Sequence, residues 1–164
     1  MNFCPKCGNK LYLKELNNEG LIPYCNNCQK YHFETFSCAV IMIVINKDRT
    51  KTLLIQQYGK KRNILVAGYI NKGESAESAC VRELKEEVGL TASKLIFQKS
   101  EFHEKSNCLM LNYVVYVDDD NITSNEEIDL YKWYDLKTAK TAIADGSLAQ
   151  KFYLSFYEEM KNEI

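Results

Sequence analysis

Three glutamates, Glu83, Glu86 and Glu87, stand at positions that a helix turning roughly 100° per residue brings to one side. Ala76 and Ala79 fall on that side too, so nothing bulky covers the acids. Cys80, Val81, Leu84 and Val88 make a neighbouring apolar face, the side expected to meet a core. Arg82 and Lys85 project elsewhere. For folding alone this is a poor arrangement. Glu83 and Glu87 are like charges at i,i+4, which costs about 0.2–0.5 kcal/mol, and they lie toward the helix C-terminus, where the macrodipole disfavours anions. A hard divalent cation would offset the repulsion, because Mg²⁺ takes carboxylate oxygens and bridges to substrate phosphates. Taken alone, E-x-x-E-E also reads as a solvated acidic face.

A second chemistry stands at the N-terminus. Cys4-Pro-Lys-Cys7 and Cys25-Asn-Asn-Cys28 are two C-x-x-C pairs separated by 17 residues. Four thiolates at this spacing saturate a tetrahedral Zn²⁺, which gives the metal a structural role. Residues 1–33 hold too little apolar material to fold unaided, and zinc would supply the missing stability. The ribbon's Lys6, Lys10, Lys14 and Lys30 are balanced in part by Glu15 and Glu19. The other three of the seven cysteines, Cys38, Cys80 and Cys108, lie in apolar segments and read as small buried hydrophobes.

Elements must position these groups. Cys38–Ile45 is a β-branched apolar run, read as a buried strand. A turn at 46–48 leads to a second strand, Thr52–Tyr58, expected to pair with it as a hairpin. A short apolar stretch at 64–70 is broken by Gly68. Residues 75–88 are helical, 94–98 and 109–117 are strands, and Tyr131–Tyr134 is a short one. Asp135 is positioned to cap a helix over 136–142. Asp145-Gly146-Ser147 starts a last helix to about 161, whose Phe152, Tyr153, Phe156 and Tyr157 are read as core. The mixture predicts an α/β (α+β mixed) layered domain over 34–164, preceded by the small cysteine segment.

The chain has 164 residues, 46% apolar and 26% charged, with net charge −1. That suits one domain with a proper core plus an appendage. It argues against a strong electrostatic pull on DNA, RNA or anionic membrane. There is no apolar run of about 18 residues and so no transmembrane helix. MNFCPKCGNK lacks the apolar stretch of a secretory signal, which makes the cytoplasm the expected compartment.

The residues around the acidic helix say more. Gly68, Glu74, Arg82-Glu83-Leu84, Glu86-Glu87 and Gly89-Leu90 match nine defined positions of the Nudix box over 23 residues. On this match the domain resembles the Nudix hydrolases. The resemblance implies an α/β/α sandwich with a mixed sheet, and a catalytic set of Glu83, Glu86, Glu87, Arg82 and Glu74. Glu74 is expected to reach Arg82 across the loop, and Gly68 to let the backbone bend closely around the site. Gly89 is expected to end the helix. It also implies Mg²⁺ or Mn²⁺ on the glutamates and on the Ala67 carbonyl.

A zinc ribbon directly before such a domain resembles the NADH pyrophosphatases. In Glu127-Ile-Asp-Leu-Tyr-Lys-Trp133, the resemblance implies one more metal-binding glutamate, Glu127. In Gly146-Ser-Leu-Ala149, it implies that Ala149 touches the nucleotide. Tyr31, Phe33 or Tyr69 is expected to stack on the base. Glu101, Phe102 and His103 are read either as substrate contacts or as surface residues, His103 lying in a polar loop. The family's Ser-Gln-Pro-Trp-Pro-Phe-Pro segment is reduced here to Ser100-Glu-Phe-His-Glu-Lys-Ser106, and the family's extra N-terminal domain has no counterpart in these residues. The implied activity is cleavage of the diphosphate of an NADH- or NAD-like dinucleotide, by a homodimer. Alternatives are an ADP-ribose or nucleotide-sugar pyrophosphatase and a nucleotide-binding regulator that does not cut. Hydrolysis of an RNA 5′ cap has no support from the charge.

Overall fold

The computed structural model of the protein describes residues 2–162. The chain divides into two compact units, one ending at Phe36 and one beginning at Ser37.

The first unit is a three-stranded antiparallel sheet of β1 (Tyr12–Glu15), β2 (Leu21–Cys25) and β3 (Lys30–Tyr31). Tyr24 and Tyr31 meet edge to face at 4.8 Å, and Lys14 Nζ lies 4.1 Å from the Tyr24 ring centroid. The buried apolar residues of this unit are Cys4, Leu11 and Cys25. One leucine and two cysteines are far too small a core for independent stability, so the sheet depends on whatever ties the cysteines together.

The second unit is a mixed six-stranded sheet between helices, the layered arrangement expected from the sequence. Its strands are β4 (Ser37–Ile45), β5 (Lys51–Gln57), β6 (Val66–Tyr69), β7 (Ala92–His103), β8 (Cys108–Val117) and β9 (Ile128–Asp135). The helices are α1 (Ala76–Val88), α2 (Leu136–Ala142) and α3 (Leu148–Asn162). β4 is central. It pairs in parallel with β8 along its whole length and antiparallel with β6. Its continuous apolar run follows from burial on both faces. Val40, Met42 and Val44 point into one core with Cys80, Leu84 and Val88 of α1. Ile41, Ile43 and Ile45 point into the other with Ala139 of α2 and Phe152, Tyr153 and Phe156 of α3.

Several expectations change. β4 and β5 meet only at Ile45↔Thr52, instead of forming a full hairpin, and β5 pairs along its length with β9. The turn explains the divergence. Asn46 Oδ1 accepts from Thr50 N–H at 2.9 Å and Lys51 N–H at 2.8 Å, and Arg49 adopts a left-handed φ of 59°. Beyond this knot the strands separate, and β6 takes the free edge of β4. Gly68 therefore lies within a strand. β7 runs on through His103, so the polar loop expected at His103 is strand, followed by a single 3₁₀ turn. β9 is longer than Tyr131–Tyr134. Val81 is 45% exposed and leaves the expected core face. Asp135 stands at the N-cap of α2 but its side chain makes no capping bond. Ser147 does cap α3, accepting from Gln150 N–H at 3.1 Å. Cys80 and Cys108 are buried as read, whereas Cys38 is half-buried. Among the described residues no helix is long and apolar enough to cross a membrane.

Candidate active site

The acidic helix is held at both ends. Ser75 Oγ accepts from Ser78 N–H at 3.1 Å at the N-cap. Gly89, at a left-handed φ of 72°, closes the C-terminus by donating its N–H to Lys85 O at 3.1 Å. Two more terminal carbonyls find partners outside the helix: Thr123 N–H donates to Val88 O and Asn125 N–H to Glu87 O, each at 3.0 Å. Asn125 Oδ1 then accepts from Glu127 N–H at 3.0 Å. The segment leading into β9 is thus tied to the end of α1, which brings Glu127 to the acids.

Arg82 does not project away from the acids, as helical position alone suggested. It folds back and uses all five of its N–H donors. Nε and Nη2 grip both oxygens of Glu74 at 2.8 Å each. Nη1 reaches Glu83 at 2.6 Å and Glu86 at 3.1 Å, and Nη2 also reaches the Tyr69 carbonyl at 2.9 Å. The guanidinium, with the Asn71 N–H, holds the Glu74 carboxyl down to about 2. Glu74 also accepts that Asn71 N–H at 3.0 Å, so the loop before the helix is fastened to it.

Gly68 has a reason to be glycine other than the expected bend. Its φ is not left-handed; instead the Glu83 carboxylate packs directly on its Cα, in the space a Cβ would fill. Glu87 is 5% exposed, and its Oε2 has no hydrogen-bond partner. The Gln57 amide faces it without closing a well-formed bond. Burial, with the charges of Glu83, Glu127 and Glu86 adding, pushes the Glu87 carboxyl up to about 7, and the Gln57 amide offsets only part of this. A buried carboxylate oxygen left without a donor fits a cation site.

Glu83, Glu86, Glu87 and Glu127 share the wall of one cleft of about 930 Å³, which Ala67, Gly68, Tyr69 and His103 also line. Among the described residues, the carboxylates do not converge on a point as the cysteines do, because Glu83 and Glu86 are turned onto Arg82. Glu127 accepts from Tyr58 OH at 2.7 Å. Tyr58 has a left-handed φ of 55°, and Gly59 N–H beside it is fastened to Asp129 at 2.6 Å. Nothing in the sequence marks Tyr58 or Gln57 as part of the site. Tyr58 meets Glu127 69 positions away, and Gln57 of β5 faces Glu87 of α1, so neither follows a local pattern.

The remaining expected residues scatter. His103 ends β7 rather than sitting in a loop, and its Nδ1 meets Ser106 Oγ at 2.7 Å. Glu101 is ion-paired with Lys151 at 2.5 Å and lines an adjoining pocket with His103. Phe102 is 39% exposed. Ala149, in the first turn of α3, is buried in the core on that side of the sheet, while Gly146, Ser147 and Leu148 before it line the cleft. Tyr31 and Phe33 belong to the first unit, where Tyr31 OH donates to Glu15 O at 2.9 Å.

In the first unit the sulfurs of Cys4, Cys7, Cys25 and Cys28 lie within 4.8 Å of one another and could hold a metal ion. The Cys7 thiol is pulled down to about 6 by the Asn9 backbone and the Asn27 side chain. His32 Nε2 lies 3.5 Å from Cys4 Sγ.

The NUDIX domain pattern matches residues 36–154. The chain belongs to the NUDIX family. Over 155 residues it is 23% identical to the NAD-capped RNA hydrolase NudC of Vibrio cholerae, covering 92% of this chain and 55% of that protein. It is 30% identical over 152 residues to Nudix hydrolase 19, chloroplastic, of Arabidopsis thaliana, covering 87% and 34%. The chain thus spans little more than half of the NudC relatives it matches. Among solved structures, a NUDIX hydrolase from Nitrosomonas europaea superposes with a TM-score of 0.70 at 16% identity, over 99% of this chain and 93% of that one. A C. elegans Ap4A hydrolase gives 0.64 at 21% identity, over 77% and 98%. These likenesses establish the Nudix fold.

Two predictions follow from the geometry. Gly68→Ala is expected to displace Glu83 and weaken Mn²⁺ binding by about 10–100-fold, with an unchanged far-UV circular dichroism spectrum. Unaltered Mn²⁺ affinity, read by electron paramagnetic resonance, would remove Glu83 from the metal set. The second concerns Glu87. Its folded carboxyl, near 7, lies above the ordinary 4.5. The folded chain keeps a proton that the unfolded chain loses, so this stability is complete below about 4.5 and lost as pH rises through about 7. Metal-free Glu87→Gln is therefore expected to be more stable than the parent at pH 8, by on the order of 2 kcal/mol. The gap should close by pH 5 in urea titrations.

Proposed function

We propose that this Nudix protein hydrolyses the anhydride bond of a nucleoside diphosphate linked to another group, with an NADH- or NAD-like dinucleotide as the preferred substrate. The observation that carries the reading is Glu87: a buried carboxylate with an unpartnered oxygen, on the same cleft wall as Glu83, Glu86 and Glu127. These four, with the Ala67 carbonyl, would hold Mg²⁺ or Mn²⁺. When bound, the cation neutralises phosphate charge and makes a water easier to deprotonate. The chain's own residues do the rest. Arg82 keeps Glu83 and Glu86 aligned and ties them to the Glu74 loop. Tyr58 holds Glu127 in place. A water attacks one phosphorus in line, the bridging P–O bond breaks, and two phosphate monoesters leave. The cleft, within the about 300–1,000 Å³ of ordinary ligand sites, has room for a nucleotide, and Tyr69 on its wall is 60% exposed and free to stack on a base. Likeness to proteins called NAD-capped RNA hydrolase supports a nicotinamide dinucleotide. A second reading, ADP-ribose or a nucleotide sugar, is favoured by the Ser100–Ser106 segment, which keeps only the family's serine and folds as a strand and turn.

The test is product analysis with Mn²⁺ on NADH beside ADP-ribose. NMNH and AMP from NADH, formed well ahead of cleavage of ADP-ribose, are expected. Preferential AMP release from ADP-ribose selects the second reading. Glu87→Gln should lose at least about a hundredfold in turnover; full activity in that variant would sink the metal-site assignment.

The cysteine cluster is proposed to hold one structural Zn²⁺, consistent with a core of Cys4, Leu11 and Cys25. Elemental analysis should give one zinc per chain. Cys25→Ser should lose it and expose the first unit to proteolysis; a zinc-free, protease-resistant parent would refute this. The homodimer and the cytoplasmic location remain part of the same proposal.

A further inference from the structure

The acidic wall is one part of the cleft; another part is basic. Between β5 and β6 the chain reads Tyr58-Gly59-Lys60-Lys61-Arg62, three consecutive cations in a protein of net charge −1. The loop is fastened at its base. Beyond the bonds of Tyr58 to Glu127 and of Gly59 to Asp129, Lys60 N–H donates to Gln57 O at 3.1 Å and Arg62 N–H to Lys60 O at 2.8 Å. Arg62 lines the main cleft. With Lys60, Gln57, Tyr58 and Ile64 it also bounds a side pocket of about 180 Å³, and four of these five residues are shared with the cleft wall. Among the described residues no acid lines the side pocket.

Two cations near the cleft are already engaged. Arg82 is saturated by carboxylates and a carbonyl, and Lys151 is paired with Glu101. The side chains of Lys60 and Arg62 have no hydrogen-bond, ion-pair or ring partner among the described residues, although the cleft beside them carries five carboxylates, those of Glu83, Glu86, Glu87, Glu127 and Asp145. Cations that pair with none of the acids of their own cleft are available to an anion that enters it. The side pocket is smaller than the roughly 300 Å³ at which ordinary small-molecule sites begin, which suits a single phosphate group rather than a base. Arg in such a place binds phosphate through two parallel N–H donors, and Lys adds a point charge.

We propose that Lys60 and Arg62 form an anion subsite for a phosphate group that the substrate carries beyond the two phosphates being separated. The inference rests on the hydrolase reading, which puts the scissile diphosphate at the acidic wall. The same chemistry has two sources: a phosphomonoester on a ribose, or the first phosphodiester of a polynucleotide attached to the dinucleotide.

The test compares matched substrates in the full chain with Mn²⁺, for the parent and the Lys60→Gln/Arg62→Gln double variant. NADPH against NADH supplies the monoester; a short NAD-capped RNA against NAD supplies the diester. At low salt the phosphorylated member of at least one pair should be favoured by about tenfold in kcat/KM. The double variant should bring that ratio toward one by raising KM rather than lowering kcat, and flatten its salt dependence. Preference for NADPH alone identifies a monoester, for capped RNA alone a diester, and for both a site that reads phosphate itself. No preference in either pair, or one the double variant keeps, overturns the proposal. Calorimetric binding of adenosine 2′,5′-bisphosphate against 5′-AMP separates this from the hydrolase reading. Tighter bisphosphate binding that is lost in the double variant upholds the subsite even if nothing is hydrolysed. Equal binding in a chain that hydrolyses NADH but not NADPH or capped RNA any faster removes the subsite and leaves the hydrolase.

Discussion

The Arg82 guanidinium is the interaction on which the site depends. Two acids on the same helix, Glu83 and Glu86, repel each other and Glu87, and nothing in helix propensity keeps them together. Arg82 neutralises both while gripping Glu74 and the Tyr69 carbonyl. One side chain therefore fixes the acids, the loop before the helix and the end of β6. Charge-assisted bonds of this kind are stronger than neutral ones, and five on one planar group leave little freedom for any partner. Lysine, with three donors and no fork, could not replace it.

That hub works only because the surrounding fold brings α1 against β6. Cys80, Leu84 and Val88 anchor the helix in one core of the sheet, and the Glu83 carboxylate comes to rest on Gly68. The opposite face of the same strands is covered by α2 and α3. The helix C-terminus would otherwise carry orphan carbonyls. The segment before β9 supplies donors to two of them, and in doing so delivers Glu127 to the cleft. Solving a capping problem and assembling the acidic wall are here the same structural event.

Stability and function oppose each other at Glu87. Burial without a donor raises its carboxyl far above the usual range, which is costly to a metal-free chain. A site tuned only for folding would carry an apolar residue or a donor there. The acids and the unpaired cations around one cleft are likewise a poor solution for an isolated fold. They suit a ligand whose own charge is distributed in sections.

Much of this was legible in the residues themselves. The spacing of Gly68, Glu74, Arg82, Glu83, Glu86 and Glu87 marked the acidic helix and its loop, because these contacts lie within a few turns of one element and one connection. The two C-x-x-C pairs showed the cysteine cluster for the same reason. The β-branched run at 38–45 showed a buried strand, though not that both its faces were covered by different helices. What only the tertiary structure decided depends on groups far apart in the chain. It chose β9 rather than β4 as the partner of β5, extended β7 through His103, and buried Ala149 in the core. It also turned Arg82 back onto the acids, placed Tyr58 on Glu127 and made Gly68 a matter of space rather than of backbone angle. Local periodicity records which face a side chain takes along its own element. It does not record which strand becomes the neighbour, and that is settled by the packing of the whole sheet.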